Sequence, residues 1–448
     1  MKTLICNANI VNEGQIIQAD LLIENDRISK IAKQITPSSD TKVIDAKGKY
    51  LLPGMIDDQV HFREPGFPNK GTIASESRAA VAGGITSFME MPNVNPQTTN
   101  LQALEDKYQR AAQSALANFS FYLGATNDNI EEIKRLSPHQ ACGVKIFMGA
   151  STGNMLVNNL DSLNQIFAHS PVVIATHCED SPIIKINEDA AREKYGEHIP
   201  MHLHGEIRSR QACLTSSRLA TELAIKHKSR LHVLHLTTKD ELYQFKPAKT
   251  LADLRGANIT AEVCVHHLFF NDNDYHRLGG QIKCNPAIKT QFDQLALQQA
   301  VNDDLIDIIA TDHAPHTWAE KQASGYFNTP AGLPLVQHAL LSLLDLHHQG
   351  IFSLETIVKK TSHAIAERFE LKDRGYIREG YLADLVLVDL NKSFEVKPDN
   401  IRYHCGWSPF NQHQFNASIA GTWVNGKQLF DGDKIIDNTF GSRLEFNR

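Results

Sequence analysis

The amino-acid sequence predicts an α/β fold: a (β/α)8 TIM barrel with a small β-sandwich domain formed from both chain termini. Three observations carry this. Short β-rich runs alternate with helical patterns through the middle of the chain, the signature of βα units and a parallel sheet. Eight such runs can be counted, enough to close a barrel. Both ends alternate short apolar runs with turn signals, and neither end has enough strands for a stable sheet alone, so the two ends are expected to join.

Taken in order, MKTLICNANIV opens the chain with one Lys and a short apolar stretch interrupted by Asn7 and Asn9. That lacks the apolar centre of a signal peptide and reads as a first strand. Turn signals follow at Asn12-Glu13-Gly14, Asn25-Asp26 and Lys47-Gly48. The eight barrel runs fall at 54–62, 86–91, 119–124, 143–148, 172–177, 231–236, 259–266 and 306–311. A helix over 75–82 stops at Gly83 and Gly84, as expected of a C-terminal stop before the next strand. Near the end, ADLVLVDL (383–390) and GTWVNGKQLF (421–430) are strand-like. The expected division is 1–52 with 378–448 as the small β domain and 53–377 as the barrel.

Composition narrows the partners. The chain has 448 residues, 42% hydrophobic and 21% charged, and can bury a large core. A net charge of -6 without any Lys/Arg run argues against nucleic acid or an anionic membrane surface and for a small-molecule substrate. No uncharged apolar run reaches membrane-spanning length. Seven Cys without a CxxC pair suggest reduced thiols in a cytoplasmic protein rather than a disulfide framework.

In a (β/α)8 barrel the active site lies where the strands end. The first run ends in Asp57-Asp58-Gln59-Val60-His61-Phe62-Arg63, and strand alternation puts Asp57, Gln59 and His61 on one face. The fourth run carries Lys145, the fifth ends in His177, the sixth contains His235, the seventh ends in His266-His267, and Asp312, His313 and His316 follow the eighth. A single His at a strand end is usually a satisfied core or surface group; five or more converging on one barrel mouth are not. Imidazole and carboxylate from separate strand ends suit Zn²⁺ or a similar divalent ion with positions left open for water. His139, His169, His227, His347 and His348 lie in polar, helix-like stretches and are assigned no role. The polar segment 317–330, with Gly325, has the make-up of a loop that shuts over a substrate.

The segments PGMIDDQVHFREPG (53–66), MPN (91–93), GVKIFMG (143–149), THCED (176–180), LHLTT (234–238), KCNP (283–286) and ATDHAPH (310–316) resemble the dihydroorotases. The likeness spans nearly the whole chain, and the combination of FREPG, MPN and DHAPH is its specific part. GYIREGYLADLVLVD (375–389) and the terminal GTWVNG resemble cyclic amidohydrolases more generally.

The resemblance implies reversible cyclisation of N-carbamoyl-L-aspartate to L-dihydroorotate, a step of de novo pyrimidine biosynthesis, with one or two Zn²⁺ per chain. It puts metal ligands at His61, His177, His235 and Asp312, with a bridging ligand at Lys145, which in many relatives is carboxylated. A poorly solvated Lys amine tends toward neutrality and can react with CO₂. It implies attack on the ring amide by a metal-bound hydroxide, with Asp312 as general base and acid. Arg63, Asn93 and His316 resemble a clamp on the substrate's free carboxylate, to which the planar fork of Arg is suited. Asn285 resembles the Asn that meets the pyrimidine ring, and His266 and His267 are expected to orient a ligand. A homodimer is what the resemblance suggests.

The sequence departs from that pattern at Gln59, where most relatives carry an imidazole. A neutral amide oxygen is the poorer Zn²⁺ donor, so the more buried metal position is expected to be weak. Two other readings stand. Another cyclic amidohydrolase, a hydantoinase (dihydropyrimidinase) or an allantoinase, would share the barrel and ligands, though a hydantoin lacks the carboxylate that Arg63 and Asn93 would bind. A non-catalytic scaffold for aspartate transcarbamoylase would fit the loss at Gln59 but not the retention of the other ligand positions.

Overall fold

The computed structural model describes residues 2–149, 155–436 and 440–448. The two chain ends are sewn into one eight-stranded sheet. Leu385–Asp389 runs antiparallel to Tyr50–Pro53, with Leu385 opposite Pro53 and Val388 opposite Tyr50. Tyr50–Pro53 in turn lies parallel to Lys2–Asn12, which hairpins onto Gln15–Glu24. Ile5, Ile10, Leu21, Ile23, Leu385, Leu387 and Trp423 form a buried core on this sheet.

Apart from a short antiparallel pair, Phe394–Glu395 with Gln414–Phe415, the remaining strands are parallel and follow chain order. Met55–Val60, Ile85–Glu90 and Asn118–Phe121 pair in sequence. Leu123–Gly124, Val144–Phe147, Ile174–His177, Leu231–Val233, Ile259–Cys264 and Ile308–Ala310 form a six-stranded sheet. Only Tyr122 separates the two sheets, and its N–H donates to Glu90 O at 3.1 Å. We count the two pieces flanking Tyr122 as one strand, the third of eight. The eighth returns to the first through a parallel bridge between Val60 and His313 and a 2.7 Å bond from His61 N to His313 O. Most of these strands are buried on both faces, which explains their near-continuous apolar runs.

The eight expected runs and the observed strands agree to within three residues at every boundary. Ile73–Ala82 is helical, with Thr72 accepting from Ser75 N in a capping box and Gly83 at its C-cap. A Cβ at Gly83 would sit 2.4 Å from Val336 O, so the close approach of two chain segments demands glycine there. The C-terminal tail crosses back onto the parallel array: Phe119 N donates to Ser442 O, and Arg448 donates to the carbonyls of Pro138, Ala141, Cys142 and Phe369.

One local expectation fails. The register shifts between Asp57 and Val60, so alternation is broken at that point. Gln59 and His61 face the strand-end cavity, but Asp57 turns to the neighbouring eighth strand, where Thr311 Oγ1 donates to it at 2.6 Å. Among the described residues no helix is long and apolar enough to cross a membrane. All seven cysteines are free.

Phe88 is fully buried, 4.5 Å from the Phe62 ring and in contact with Phe119 and Phe121 below the strand ends. Phe88→Ala is expected to destabilise the protein by about 3–5 kcal/mol. Urea unfolding followed by circular dichroism measures this; a loss under about 1 kcal/mol would mean that the aromatic layer relaxes to fill the gap.

Candidate active site

The strand ends open into a cavity of about 360 Å³. Gln59, His61, Arg63, Asn93, Lys145, His177, His235, Asn285, Asp312 and His316, ten of the residues singled out from the sequence, all line it, whereas His266 and His267 do not. Phe147, Arg208 and the segment 330–332 complete the wall.

On one side, His61 and Asp312 meet, Nε2 to Oδ1 at 3.1 Å. His61 Nδ1 lies 2.8 Å from Asn93 Oδ1, so both ring nitrogens face oxygen acceptors and a neutral ring can donate to only one of them. Burial raises the Asp312 pKa, but the His61 bond and the neighbouring positive groups outweigh it and hold the carboxyl below its ordinary value. On the other side, His177 Nδ1 and His235 Nε2 lie 3.0 Å apart with their rings at 77°. His177 Nε2 donates to Glu179 Oε2 at 2.8 Å, so its Nδ1 carries the lone pair toward His235. Burial lowers the pKa of both rings.

Lys145 joins these two sides. It is 1% exposed, and its Nζ is 4.7 Å from the Phe147 ring centroid. Burial lowers its pKa to about 8 despite the opposing pull of Asp312 and Glu262. Gln59 is buried, and its Oε1 accepts only a long contact from Cys264 Sγ at 3.7 Å.

At the rim, Arg63 Nε donates to Pro315 O at 3.0 Å, and its Nη2 lies 3.2 Å from His316 Nε2. Burial lowers the Arg63 pKa to about 10, leaving a desolvated guanidinium that remains charged at neutral pH. Glu64 is occupied elsewhere, accepting from Ile73 N at the start of a helix. His316 accepts from Lys70 Nζ at 3.1 Å and donates from Nε2 to Ala331 O at 3.0 Å. Burial and the surrounding cations Arg63, Lys70 and Lys321 hold it neutral. Segment 317–330 is anchored at both edges: Lys321 donates to the carbonyls of Lys283, Pro330 and Gly332, and Lys283 donates to Thr329 O.

Arg63, His235 and Asp312 have φ of 70°, 41° and 48°, the left-handed region that non-glycine residues rarely occupy. Such strain collects at functional sites, where surrounding structure forces a side chain into position.

Two tighter groups of potential donors adjoin the cavity: Cys264 with His266 and His267, and Asp58 with His232 and Glu262. In the second, His232 Nε2 is 3.2 Å from Asp58 Oδ2 and 3.5 Å from Glu262 Oε2. Burial opposes charging, yet the two carboxylates raise the His232 pKa to about 9. This cluster reads as an imidazolium held between two carboxylates, and Glu262 uses its other oxygen to accept from His235 N at 3.0 Å. In the first, His267 Nε2 donates to Pro286 O at 3.1 Å, and His266 is buried beside it with its ring centroid 4.0 Å from that of His267.

Sequence reasoning missed Glu179, Arg208 and the Asp58–His232–Glu262 cluster. Glu179 lay inside the THCED segment and a carboxylate two residues after a strand-end His was the available signal. Arg208 lies in the connection after the His204–Ile207 helix, far from any strand end, and no pattern flagged it. The bystander histidines make local bonds, as His169 does to Gln165 O and His348 to Leu344 O.

A parallel α/β array that gathers imidazoles, a carboxylate, a desolvated lysine and a buried arginine around one polar cavity is the scaffold of a hydrolytic enzyme for small polar molecules. The chain belongs to the Amidohydrolase family, which matches residues 50–429, and it is a hydrolase of the cyclic-amide kind. It is 32% identical over 429 residues to the dihydroorotase of Halobacterium salinarum, covering 95% of this chain and 96% of that one. It is 30% identical over 446 residues to the allantoinase of Solibacter usitatus, covering 97% and 95%. Among solved structures it is similar to the L-hydantoinase (dihydropyrimidinase) of Arthrobacter aurescens, with a TM-score of 0.92 at 24% identity over 99% of each chain, a likeness of fold.

Glu179→Gln keeps the shape of the His177 partner but removes its charge. Metal retained per chain is expected to fall about 10- to 100-fold in affinity, the usual cost of losing a carboxylate behind a ligating imidazole. Competition against a graded chelator series reads this; unchanged retention would exclude Glu179 from support of His177.

Proposed function

We propose that the chain is a metal-dependent dihydroorotase on a (β/α)8 barrel spanning 53–377, with a small β domain from 1–52 and 378–448. The observation that carries the reading is the pairing of two features in one cavity. A buried guanidinium, Arg63, faces it with no carboxylate ion-paired to it among the described residues, and donors suited to a divalent ion line the same cavity. A substrate carboxylate would complete Arg63, and neither a hydantoin nor allantoin carries one.

The residues fit a metal. Two neutral imidazole nitrogens converge at 3.0 Å, and His61 and Asp312 offer a third nitrogen and an oxygen. Without a cation the imidazole pair can make at most one hydrogen bond. His61, Lys145 as its carbamate, His177, His235 and Asp312 would hold Zn²⁺. When bound, the ion supplies Lewis acidity, polarising the ring amide and acidifying a water.

The chain's own groups then do the rest. Arg63, with Asn93 and His316, clamps the substrate's free carboxylate and so fixes the ring. In the hydrolytic direction Asp312, ionised at neutral pH, takes the proton of the attacking water at its carboxylate oxygen and passes it to the departing ring nitrogen. In the synthetic direction protonated Asp312 gives its proton to the oxygen that leaves as water while the amide bond forms. Ring closure consumes a proton, so acid favours synthesis and base favours hydrolysis. The substrate is a small molecule; a cytoplasmic homodimer is part of the same reading.

The test is a spectrophotometric assay of dihydroorotate hydrolysis with and without chelator. Turnover that disappears on metal removal is expected, and turnover of allantoin or dihydropyrimidines without dihydroorotate would overturn the substrate. Arg63→Lys should lower kcat/KM roughly tenfold to a hundredfold through loss of the two-pronged contact; an unchanged value would reduce Arg63 to a rim residue.

Gln59 stands where the second, more buried ion would be held. Purified protein is expected to carry between one and two metals per chain, and Gln59→His to raise retention under mild chelation, because imidazole outcompetes an amide oxygen for Zn²⁺. Two fully occupied, equally retained metals in the parent would end this argument.

A further inference from the structure

Arg208 occupies a place that no motif announced. It is 9% exposed, lines the same cavity as Arg63, and points two of its nitrogens at two different tasks. Nε donates to Asn285 Oδ1 at 2.6 Å. Nη1 lies 3.4 Å from Glu179 Oε2 and makes no hydrogen bond. Guanidinium has donors and no acceptor, so the atom of Asn285 facing it is the carboxamide oxygen. The amide nitrogen is thereby turned away from Arg208, and among the described residues it donates to no protein group.

The surroundings make this contact decisive for the Asn285 side chain. The main chain beside it is already held: His204 Nε2 donates to Cys284 O at 2.7 Å, and Gly332 N donates to Lys283 O at 2.8 Å. What remains to be set is the rotation of one carboxamide, whose two ends differ only in offering a donor or an acceptor. Arg208 sets it.

We propose that Arg208 is a positioning residue that locks the Asn285 carboxamide with its N–H₂ group toward the cavity, so that the site reads a hydrogen-bond acceptor, the urea carbonyl of the substrate. This rests on the cyclic-amide reading of the cavity but not on dihydroorotate in particular, since every cyclic ureide carries that carbonyl. The Asn285 N–H₂ group would meet the carbonyl lying between the two ring nitrogens, while Arg63 holds the carboxylate at the other end. A flipped carboxamide would instead present its oxygen to the urea carbonyl, two acceptors face to face.

The experiment compares turnover of the urea substrate with that of its 2-thio analogue, whose sulfur is a weak acceptor, in the parent and in Arg208→Met, Arg208→Lys and Asn285→Asp. Metal per chain is measured on each variant. The parent is expected to prefer oxygen over sulfur. Arg208→Met frees the carboxamide to flip, and Asn285→Asp keeps the Arg208 contact but has no N–H. Both should raise KM for the urea substrate about tenfold, the worth of one hydrogen bond, and shrink the oxygen-over-sulfur preference by a similar factor. Arg208→Lys, which can still donate to Oδ1, should recover part of the preference. An oxygen-over-sulfur ratio in Arg208→Met equal to the parent's would overturn the proposal. So would a fall in kcat and metal content at constant KM, because Arg208 would then act through Glu179 and His177 alone. If Arg208→Met does not fold, the ratios for Arg208→Lys and Asn285→Asp decide the matter. If the parent opens allantoin or a hydantoin and not dihydroorotate, the same ratio is taken on that ureide and its thio analogue, so that failure of the substrate reading is seen separately from failure of this one.

Discussion

The seam between the first and eighth parallel strands is the constraint on which the site depends. Its contacts include His61 N to His313 O, Thr311 Oγ1 to Asp57, and the bridge between Val60 and His313. The first two are hydrogen bonds in a region that water does not reach, each worth about 1 kcal/mol net and costly to leave unmade. Their consequence is geometric. They bring residues some 250 positions apart in the chain, His61 and Asp312, to within 3.1 Å. Asp57 contributes by leaving the cavity: its carboxyl, pushed well up by burial, joins the strands rather than competing for a cation.

Burial then sets the charge state of each group in the cavity, and it does so in the direction that chemistry needs. Desolvation disfavours charged forms, so His61, His177 and His235 are held neutral and Lys145 is pulled toward the free amine. Those are the forms that bind a metal or react with CO₂. Asp312 alone runs against the trend, because it touches His61 and faces several positive groups. One cavity thus keeps its imidazoles unprotonated and its carboxylate ionised. The arrangement costs stability, since buried donors and strained backbone at Arg63, His235 and Asp312 oppose folding. The large apolar cores that flank both faces of the parallel strands offset it.

The parts legible in the sequence share a cause. Parallel strands buried on both faces leave uniform apolar runs with polar residues only at their ends, so strands and cavity-lining residues announce themselves together. His177, His235 and Lys145 were legible for that reason. Asn93 and Asn285 lie on loops and were reached only through resemblance of the motifs around them. The register shift at Asp58 was not legible, because period-two reasoning assumes an unbroken ladder. Arg208 was invisible for a different reason: its partners, Asn285 and Glu179, are 77 and 29 residues away, and no local pattern encodes such a meeting.

Arg208 and Glu179 also bear on how the two halves of the cavity are coupled. Glu179 is fully buried and would be intolerable as an isolated carboxylate. Burial raises its pKa, but Arg208 and His177 more than compensate and keep it ionised. Its charge therefore depends on a residue whose other arm orients Asn285. The Glu179 bond to His177 directs the His177 lone pair toward His235, and the Arg208 bond to Asn285 directs an amide toward the ring position. Metal side and substrate side thus share one buried ion pair. The two sides need not be equally sensitive to its loss. His177 keeps a second constraint in its packing against His235 and Phe147, whereas the Asn285 carboxamide has only Arg208 to choose between its two faces.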